Sequence, residues 1–518
     1  MNRDDWHRQP LAAALAFLAA AIALIALRPL LPIDETRYLT VAWEMWQGGS
    51  KIVPNLNGEV YSQKPPLLFW LVNLVWTVTG PAELAGRLVG PAAGAAAILL
   101  TGHLARRLWP GTPGRAGQAA WVLATGGVFL AYGSATMFDT LLTVATLGAM
   151  LALWSMVRRP GWQATVGLGA ALAFGVLAKG PVILVHVLPV ALSFPLWRPE
   201  GGATLRQMAV RLCLAVLLAL ALVGLWLGPA LILGGEAYRN DILWRQSAGR
   251  MVASFAHDRP VWSYLALMPL FLWPWGWGRE VAALWRGPRG GAERFLMIWA
   301  GGGLVAFSLI SGKQIHYLLP ELPAVALLLS RGSDRPPGRW SRHVPMLPAI
   351  VILGLGAAAA AGLVPAGILD GGAVGPVELV LATVTVAAAL VLVATARSRS
   401  TARLVVAPAT LVAFLLVAFQ TVWAGNNPGR LAPLLAAHAR AGVATTDPGY
   451  AGQFSFSARL PAPVTVLRSE GALAVWMQAN PGGLVLGKAP IPAAGLQLLR
   501  EDTLQGERWF AYRVGTGP

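Results

Sequence analysis

Two aspartates stand where a polar stretch of the sequence meets an apolar run. Asp34 follows the first apolar run, and Asp139 stands at the start of a later one, in the sequence GSATMFDTLL. A carboxylate can take the proton from an acceptor hydroxyl while nearby cations stabilise a departing phosphate. The pair therefore fits group transfer from a phosphorylated donor. The alternative for Asp139 is a plain helix cap.

Cations are concentrated in two segments, at 32–66 and at 234–261. Clustered cations at a membrane surface suit an anionic ligand such as a phosphate or pyrophosphate head group. The alternative is that these charges are solvated and pair with one another. The charged residues are Asp34, Glu35, Arg37, Glu44, Lys51, Glu59 and Lys64 in the first segment, and Glu236, Arg239, Asp241, Arg245, Arg250, His257, Asp258 and Arg259 in the second.

The elements that position these residues are predicted to be membrane-spanning helices. Of 518 residues, 56% are hydrophobic and only 12% charged, whereas about 25% is usual in a soluble domain. Apolar runs long enough to cross a hydrocarbon core of about 30 Å recur along the chain. The first run is not interpreted as a signal peptide, because no small-residue cleavage site follows and many further runs do. The single cysteine, Cys213, excludes an internal disulfide and a CxxC metal site.

The net charge of +17 does not indicate nucleic-acid binding. Most arginines stand in short loops between apolar runs, where positive charge sets the orientation of the helices in the membrane. With the N terminus in the cytoplasm, every second loop is cytoplasmic, and all six of these are basic. The apolar segment 66–80 is short, and counting it as a span would reverse every later loop. We therefore predict an amphipathic or re-entrant helix there, at the outer interface. The predicted spans, about thirteen, are 10–31, 86–105, 117–134, 140–157, 162–178, 180–197, 207–233, 262–284, 294–311, 315–331, 345–365, 376–396 and 403–424.

The tail beyond the last span changes character. Turn sequences such as TTDPGY and NPGG separate short β-prone runs, namely APVTVL, GGLVLG and RWFAYRV. The fold class predicted is an all-α polytopic membrane protein with a small soluble C-terminal α/β domain. Residues 1–424 form the membrane domain, including a first outer loop at 32–85, and residues 425–518 form a periplasmic domain.

The motifs of the first 330 residues resemble those of the glycosyltransferase-C superfamily, in particular the lipid A aminoarabinose transferases and the related protein O-mannosyltransferase-like proteins. The most specific block is DETRYLTVAWEMWQGGSKIVPNLNGEVYSQKPPLLFW, with an acidic pair, an NG turn and a KPP step. Further similarities follow in family order: ELAGRLVGPAAG to ARRLWPG, the MFD of Asp139, LAKGP, FAHDRPVWSYL and SGKQIHYLLPELPA. Beyond residue 345 the chain resembles the family in layout only.

The resemblance implies roles for individual residues. Asp34 and Asp139 match the two carboxylates of the catalytic cavity, with Asp34 acting on the acceptor nucleophile. The family often has Glu before KPP, whereas this chain has Gln63, so a carboxylate that could bind a metal is missing. We assign no metal ligand and no definite cofactor. Binding of a divalent metal remains an open alternative. Implied donor-phosphate residues are Lys64, Arg245, Arg250, Lys313 and Tyr317, and implied cavity-lining residues are Glu35, Arg37, Tyr61, Gln63 and His257.

The implied reaction is sugar transfer from a polyprenyl-phosphate donor to a lipid A, protein or other glycan acceptor, with inversion at the anomeric carbon. The expected partners are this donor, membrane lipids and the acceptor, and no nucleic acid. The expected location is a bacterial inner membrane, with the site on the periplasmic side. No Walker A sequence or Rossmann fingerprint occurs in the chain. The alternatives are a multi-spanning transporter or flippase for an anionic lipid or sugar, and a non-catalytic scaffold.

Overall fold

The computed structural model describes residues 9–112, 114–242, 259–277, 281, 289–331, 343–364, 374–395, 399–421, 423 and 425–515, with the side chains of 399–403 left aside. Helices dominate up to residue 418. They are α1 Pro10–Ala26, α2 Asp34–Trp46, α3 Leu67–Thr79, α4 Glu83–Arg87, α5 Val89–Leu108, α6 Gly114–Ala124, α7 Gly127–Gly133, α8 Phe138–Arg158, α9 Trp162–Lys179, α10 Ile183–Leu192, α11 Leu205–Leu233, α12 Gly235–Asn240, α13 Ser263–Ala266, α14 Met268–Leu272, α15 Gly291–Leu309, α16 Leu322–Ser330, α17 Leu347–Ala360, α18 Pro376–Thr395 and α19 Arg399–Ala418.

Helices lie in each predicted span, although three of the spans are interrupted. The predicted span 117–134 is divided into α6 and α7, because Gly126 has an extended backbone conformation (φ −68°, ψ 127°). The predicted span 262–284 begins with two short helices, α13 and α14. The predicted span 315–331 starts as a 3-10 helix, Ile315–Glu321, that contains a proline and continues into α16. In the described part of the chain, five helices are long and apolar enough to cross a membrane by length and composition.

The helices differ in how far the protein itself covers them. In α8, 78% of the most apolar window is buried, whereas in α11 only 22% is. On α11, Leu220 and Leu225 remain 63% and 76% exposed, as expected for side chains that face lipid. Inside the bundle, the hydroxyl of Thr143 donates to the Asp139 carbonyl of its own helix at 2.7 Å, which satisfies a buried polar group. Helix α8 is therefore the central support of the membrane domain.

The ends of the helices that were predicted to be cytoplasmic come together. The indole of Trp154 donates to the carbonyl of Arg107 at 3.2 Å. The indole of Trp109 donates to Glu293 at 3.1 Å, and Nε of Arg331 lies 3.4 Å from the same carboxylate oxygen. These contacts join four loops or helix ends that the charge pattern assigns to the cytoplasmic side of the membrane.

Helix α3 lies where the sequence predicted an amphipathic or re-entrant helix. With 13 residues it is short for a span. One face is buried and the other is open, since Trp76 is fully buried while Leu74 and Val78 are 63% and 88% exposed. The Trp76 ring stacks on Phe456 of the C-terminal region, with centroids 5.5 Å apart. Helix α3 therefore connects the membrane domain to the tail.

The tail contains a five-stranded mixed sheet in the order β4-β3-β5-β7-β6. Strands β3, β4 and β5 are parallel, whereas β7 is antiparallel to both β5 and β6. The predicted small α/β domain is therefore present, and its boundary at residue 425 stays a prediction. The elements are α20 Ala432–His438, β3 Val443–Thr445, β4 Thr465–Val466, α21 Glu470–Ala479, β5 Leu484–Gly487, β6 Leu496–Leu504 and β7 Glu507–Val514, while β1 Asn55–Leu56 and β2 Glu59–Val60 form a hairpin in the first loop.

Candidate functional site

The first part of the site is built from helix ends. Asp139 lies in the first turn of α8 and is only 2% exposed. Its carboxylate accepts a hydrogen bond at 2.5 Å from Nζ of Lys179, the last residue of α9. Both helices are apolar, so the two charges are drawn together at the edge of the bundle, where pairing compensates for lost hydration. A cation and an anion are thereby fixed in one place.

The 3-10 helix Ile315–Glu321 adds two aromatic groups to this ion pair. Nζ of Lys179 lies 4.8 Å from the centroid of the Tyr317 ring, a distance suited to a cation–π contact. The neighbouring His316 packs edge-on against Tyr317, with centroids 4.9 Å apart. We name this group the helix-end half of the site; its members are Asp139, Lys179, His316 and Tyr317.

The second part comes from the first loop. Asp34 opens α2, and its carboxylate accepts a hydrogen bond at 2.8 Å from the hydroxyl of Tyr38, one turn later. Burial raises the pKa of Tyr38, and the Asp34 charge raises it further, so this hydroxyl stays protonated and donates. The Tyr38 ring packs edge-on against the Phe138 ring, with centroids 4.7 Å apart. Nζ of Lys64 lies 5.9 Å from the centroid of the Phe138 ring. Asp34, Tyr38 and Lys64 are called the first-loop half.

The two halves form a single cluster of charges. Phe138, which both Tyr38 and Lys64 contact, precedes Asp139 directly in α8. The charges of Asp34, Lys64, Asp139 and Lys179 all act on the ring of His316. Direct contacts link the two halves: Tyr38 joins Asp34 to the Phe138 ring, and Asp139, the next residue, binds Lys179. Lys179 in turn lies against Tyr317, which packs on His316, so these side chains share one site.

Glu35, next to Asp34, was predicted to line the cavity. Its carboxylate is instead 1% exposed and enclosed by Arg28 and Arg87. Burial alone would raise the pKa of Glu35, but these two arginines lower it to about 2. The carboxylate also accepts a hydrogen bond at 2.8 Å from the backbone amide of Thr136, three residues before Asp139. Glu35 therefore fastens the start of α2 to the start of α8.

The remaining predicted site residues lie in different surroundings. Lys313 is 2% exposed and donates to the backbone carbonyls of Arg259, Ile310 and Ser311, so its ammonium is used within the protein. Tyr61 is buried, Arg37 is half-buried and Gln63 is exposed. Arg245, Arg250 and His257 lie outside the described residues.

Some members of the cluster were not assigned to the site from the sequence. Lys179 stands in LAKGP, a motif too common to indicate a role. Tyr38 is the tyrosine of the Arg-Tyr pattern, which gives no role to its hydroxyl. The signal for Tyr38 was the spacing of four residues from Asp34, which places both on one helix face. For Lys179 and His316, the only signal was their position at the predicted outer ends of apolar runs.

No group of three or more His, Cys, Asp or Glu side chains within the described residues could hold a metal ion. The position before Lys64 carries the neutral amide of Gln63, which is exposed. In the described part of the site, the positive charge therefore comes from lysines. Whether a divalent metal also binds, which the sequence left open, stays untested.

The C-terminal domain contacts the helix that carries Asp34. The hydroxyl of Thr40 in α2 donates to the carbonyl of Gly452 at 2.8 Å and accepts from the amide of Phe456 at 3.3 Å. The side-chain amide of Asn57 exchanges two hydrogen bonds with the backbone of Val464, at 2.9 and 2.8 Å. The first loop is thus held between the membrane bundle and the C-terminal domain.

Parts of the chain are similar in sequence to known glycosyltransferases. Residues 63–226 match the family described as dolichyl-phosphate-mannose-protein mannosyltransferase. An undecaprenyl phosphate-alpha-4-amino-4-deoxy-L-arabinose arabinosyl transferase of Pseudomonas fluorescens is 29% identical over 61% of this chain and 55% of its own length. The corresponding Pseudomonas aeruginosa protein is 32% identical over 57% of this chain and 54% of its own length. The matched part of the chain thus spans just over half of these relatives.

The fold is matched along almost the whole chain. The crystal structure of ArnT from Cupriavidus metallidurans bound to undecaprenyl phosphate has a TM-score of 0.75, at 19% identity, and covers 96% of this chain and 97% of its own. The apo structure of the same protein gives 0.74. The predicted fold class and the predicted resemblance are therefore confirmed, while the number of spans stays a prediction.

Proposed function

We propose that this multi-pass membrane protein, which has the GT-C fold and resembles the aminoarabinose transferases in sequence, transfers a sugar from a polyprenyl-phosphate donor to an acceptor. The observation that carries the proposal is the cluster of Asp34, Lys64, Asp139, Lys179 and His316, which unites a base and two cations at one end of the bundle. The proposed acceptor is lipid A, a protein or another glycan. The relatives are named for undecaprenyl phosphate-linked aminoarabinose, so this donor is the first to try.

Asp34 is the proposed general base. Its carboxylate is half-buried and receives one hydrogen bond, from the neutral hydroxyl of Tyr38. It can therefore take the proton of the acceptor hydroxyl as the acceptor oxygen bonds to the anomeric carbon. The carbon–oxygen bond to the phosphate breaks at the same time, and the phosphate oxygen keeps the electron pair. Attack from the face opposite the leaving group inverts the anomeric configuration.

Lys64 and Lys179 are the proposed phosphate-binding cations. Each lies against an aromatic ring, Phe138 for Lys64 and Tyr317 for Lys179, which helps to fix the place of the ammonium. As the donor bond breaks, negative charge grows on the phosphate oxygens, and cations already in place stabilise it. Asp139 orients Lys179 through their ion pair. We therefore propose that Asp139 orients Lys179 and does not act as a second base.

The second cationic segment begins next to this site. Ser62, two residues before Lys64, donates to the carboxylate of Asp241 at 2.8 Å. We propose that Arg245 and Arg250, which follow Asp241 in the sequence, add to the phosphate-binding charge, and that His257 lines the cavity. A lipid donor enters sideways from the membrane, which agrees with the absence of a nucleotide-binding motif from the sequence.

The proposed location is a bacterial inner membrane with the site on the periplasmic face. The arginine-rich loops support this orientation. Cysteine labelling tests it in a chain whose single cysteine is replaced by alanine (Cys213→Ala). Glu59, whose side chain is 81% exposed, and Glu200, in the predicted cytoplasmic loop after α10, are the two labelling positions. Glu59→Cys should react with an impermeant reagent added from the periplasm and Glu200→Cys should not. The opposite pattern would reverse the orientation.

The direct test of function uses purified protein with a polyprenyl-phosphate sugar, starting with undecaprenyl phosphate-linked aminoarabinose. Free polyprenyl phosphate should appear only when an acceptor is present, and the acceptor should gain the sugar. Movement of intact donor across a vesicle membrane, without cleavage, would instead support the transporter alternative, which the fold and the relatives do not favour. Addition of a chelator to the same assay decides whether a divalent metal takes part.

A further inference from the structure

A further buried ionisable pair lies close to the helix-end half of the site. His186 and Glu321 are 0% and 3% exposed, and Nδ1 of His186 lies 2.5 Å from Oε1 of Glu321. His186 belongs to the first turn of α10, and Glu321 ends the 3-10 helix. Ionisable side chains inside the apolar part of a membrane bundle are rare, and they usually have a function.

Stability alone explains this pair poorly. Nε2 of His186 and Oε2 of Glu321 are buried without a hydrogen-bond partner among the described residues, and such atoms lose their hydration without replacement. Apolar side chains of similar volume are often at least as stabilising as a buried ion pair. The neighbouring helix α15 also leaves space for the carboxylate, because a Cβ on Gly303 would lie 2.1 Å from Oε1 of Glu321.

The pair joins the two segments that deliver the helix-end half. Helix α10 follows Lys179 after a short turn, and the 3-10 helix carries Tyr317. The Phe307 ring packs between them, with its centroid 5.1 Å from His186 and 5.9 Å from Tyr317. On its other side Tyr317 meets Lys179 at 4.8 Å. A continuous set of contacts therefore runs from the buried pair to the ammonium that faces the site.

We infer that His186 and Glu321 are positioning residues that hold the 3-10 helix against α10 and so fix the place of Lys179 beside Tyr317. This rests on the proposed function, in which Lys179 binds the donor phosphate. Neither residue contacts Asp34 or Lys64 in the described structure, so the pair acts on donor binding and leaves the base untouched. Without it, the 3-10 helix can shift relative to α10, and the phosphate loses a correctly placed cation.

The test compares Glu321→Leu, His186→Leu, the two together, and the conservative Glu321→Gln. Dissociation constants for undecaprenyl phosphate, and kcat and KM for the sugar donor, are measured on the purified full-length protein. Each apolar single variant should raise the donor KM and Kd about tenfold. The value of kcat should also fall by a few-fold, because the displaced Lys179 stabilises less of the charge that grows on the leaving phosphate. The double variant should be no worse than either single one, because the two residues act as one unit. Glu321→Gln should restore nearly normal binding, because its amide still reaches His186.

The matched control is Ser330→Ala. Ser330 is fully buried in α16, which continues directly from the 3-10 helix. Among the described residues its hydroxyl donates only within its own helix, to the Leu327 carbonyl at 2.7 Å. The control should keep normal donor binding. Equal losses in the control and in Glu321→Leu would overturn the inference, as would normal donor binding in Glu321→Leu or a fall in kcat at unchanged KM. If Glu321→Leu does not fold, the double variant, which leaves no unpaired charge, decides by the same measurements.

The same measurements separate a failure of the proposed function from a failure of the positioning role. If the wild-type protein neither binds undecaprenyl phosphate nor turns over a donor, the proposed function is wrong, and the inference falls with it. If the wild type is active and every variant of the pair binds donor normally, only the positioning role is wrong.

Discussion

Asp34 and Asp139 reach the same site from two regions that are built differently. Asp34 is half-buried at the start of a helix of the first loop, and its carboxylate is hydrogen-bonded to a neutral hydroxyl. Asp139 lies in the buried first turn of a membrane helix and is bonded to the ammonium of Lys179. An ammonium stabilises a carboxylate in its charged form more strongly than a single neutral hydroxyl does, so the two aspartates stand in different electrostatic environments. Two carboxylates in different environments can therefore divide the work, as paired active-site acids commonly do.

The two halves are also supported differently. The helix-end half is supported by packing inside the bundle and by the buried pair beneath it. The first-loop half is supported at two points, by the buried carboxylate of Glu35 on one side and by the C-terminal domain on the other. Substitutions in each half should therefore produce different kinds of defect.

The largest difference is expected when each aspartate is replaced by asparagine. Asp34→Asn should lower kcat about 100- to 10,000-fold, the usual contribution of a general base, while donor affinity and folding stay nearly normal. Asp139→Asn should mainly raise the donor KM, because Lys179 loses its orienting partner. The measurements are steady-state kinetics and donor binding. Glu59→Gln, in the same loop and exposed, is the control and should be neutral. Equal kcat losses for both aspartates would remove the proposed division of roles.

The next effect concerns the support of the first loop by Glu35. Glu35→Gln breaks a buried pair and should destabilise the protein by about 3–5 kcal/mol, seen as a lower midpoint of thermal unfolding. Glu83→Gln is the matched control, since Glu83 pairs with the same Arg87 but its side chain is 41% exposed, and it should change stability by about 1 kcal/mol or less. A midpoint that falls equally in both variants would mean that burial of Glu35 does not matter.

The same pair predicts a dependence of stability on pH. Because the pKa of Glu35 is lowered from 4.5 to about 2, its ionised form stabilises the folded state above pH 4.5. That contribution should be lost as the pH falls through 4.5 towards 2. Unfolding midpoints measured across this interval should fall less steeply for Glu35→Gln than for the wild type. Parallel curves would show that other carboxylates govern acid unfolding.

A smaller effect, about tenfold, is expected from Lys64→Ala in the first-loop half. Loss of one charge-assisted contact should raise the dissociation constant for undecaprenyl phosphate by about that factor. The exposed neighbour Gln63 provides the control, because Gln63→Ala should leave donor affinity unchanged. Normal affinity in Lys64→Ala would assign phosphate binding to the helix-end half alone.

What the sequence could predict differs between the halves. The first-loop half lies in one block, where Asp34, the amphipathic segment 66–80 and the KPP lysine are close in sequence and the chemistry is visible as a motif. The helix-end half is assembled from α8, α9 and the 3-10 helix, and Lys179 meets Asp139 although the two residues are 40 positions apart, so their pairing depends on how consecutive helices pack. Charge patterning predicts which ends of the spans lie together but not which side chains meet.

The C-terminal domain shows the same limit. Three of its strands follow the β-prone runs, whereas β3 and β6 were not predicted, because VAT is too short and LQLLREDTL has no clear alternation. Its contact with the first loop joins residues more than 400 positions apart, such as Thr40 and Gly452. A contact at that separation leaves no periodic signal in a single sequence.

The smallest predicted effect tests whether this contact matters. Thr40→Val keeps the side-chain shape and removes both hydrogen bonds to the C-terminal domain, which should cost about 1–2 kcal/mol. Because Thr40 lies on the helix that begins with Asp34, the loss should lower kcat by a few-fold, about the cost of a slightly misplaced base, and leave donor KM unchanged. Thr36→Val is the control, because Thr36 lies on the same helix and its hydroxyl, within the described part of the chain, donates only to the Ile33 carbonyl at 3.1 Å. If both variants behave alike, the C-terminal domain has no part in placing Asp34. If Thr40→Val raises KM instead, the domain acts on the phosphate-binding cations and not on the placement of Asp34.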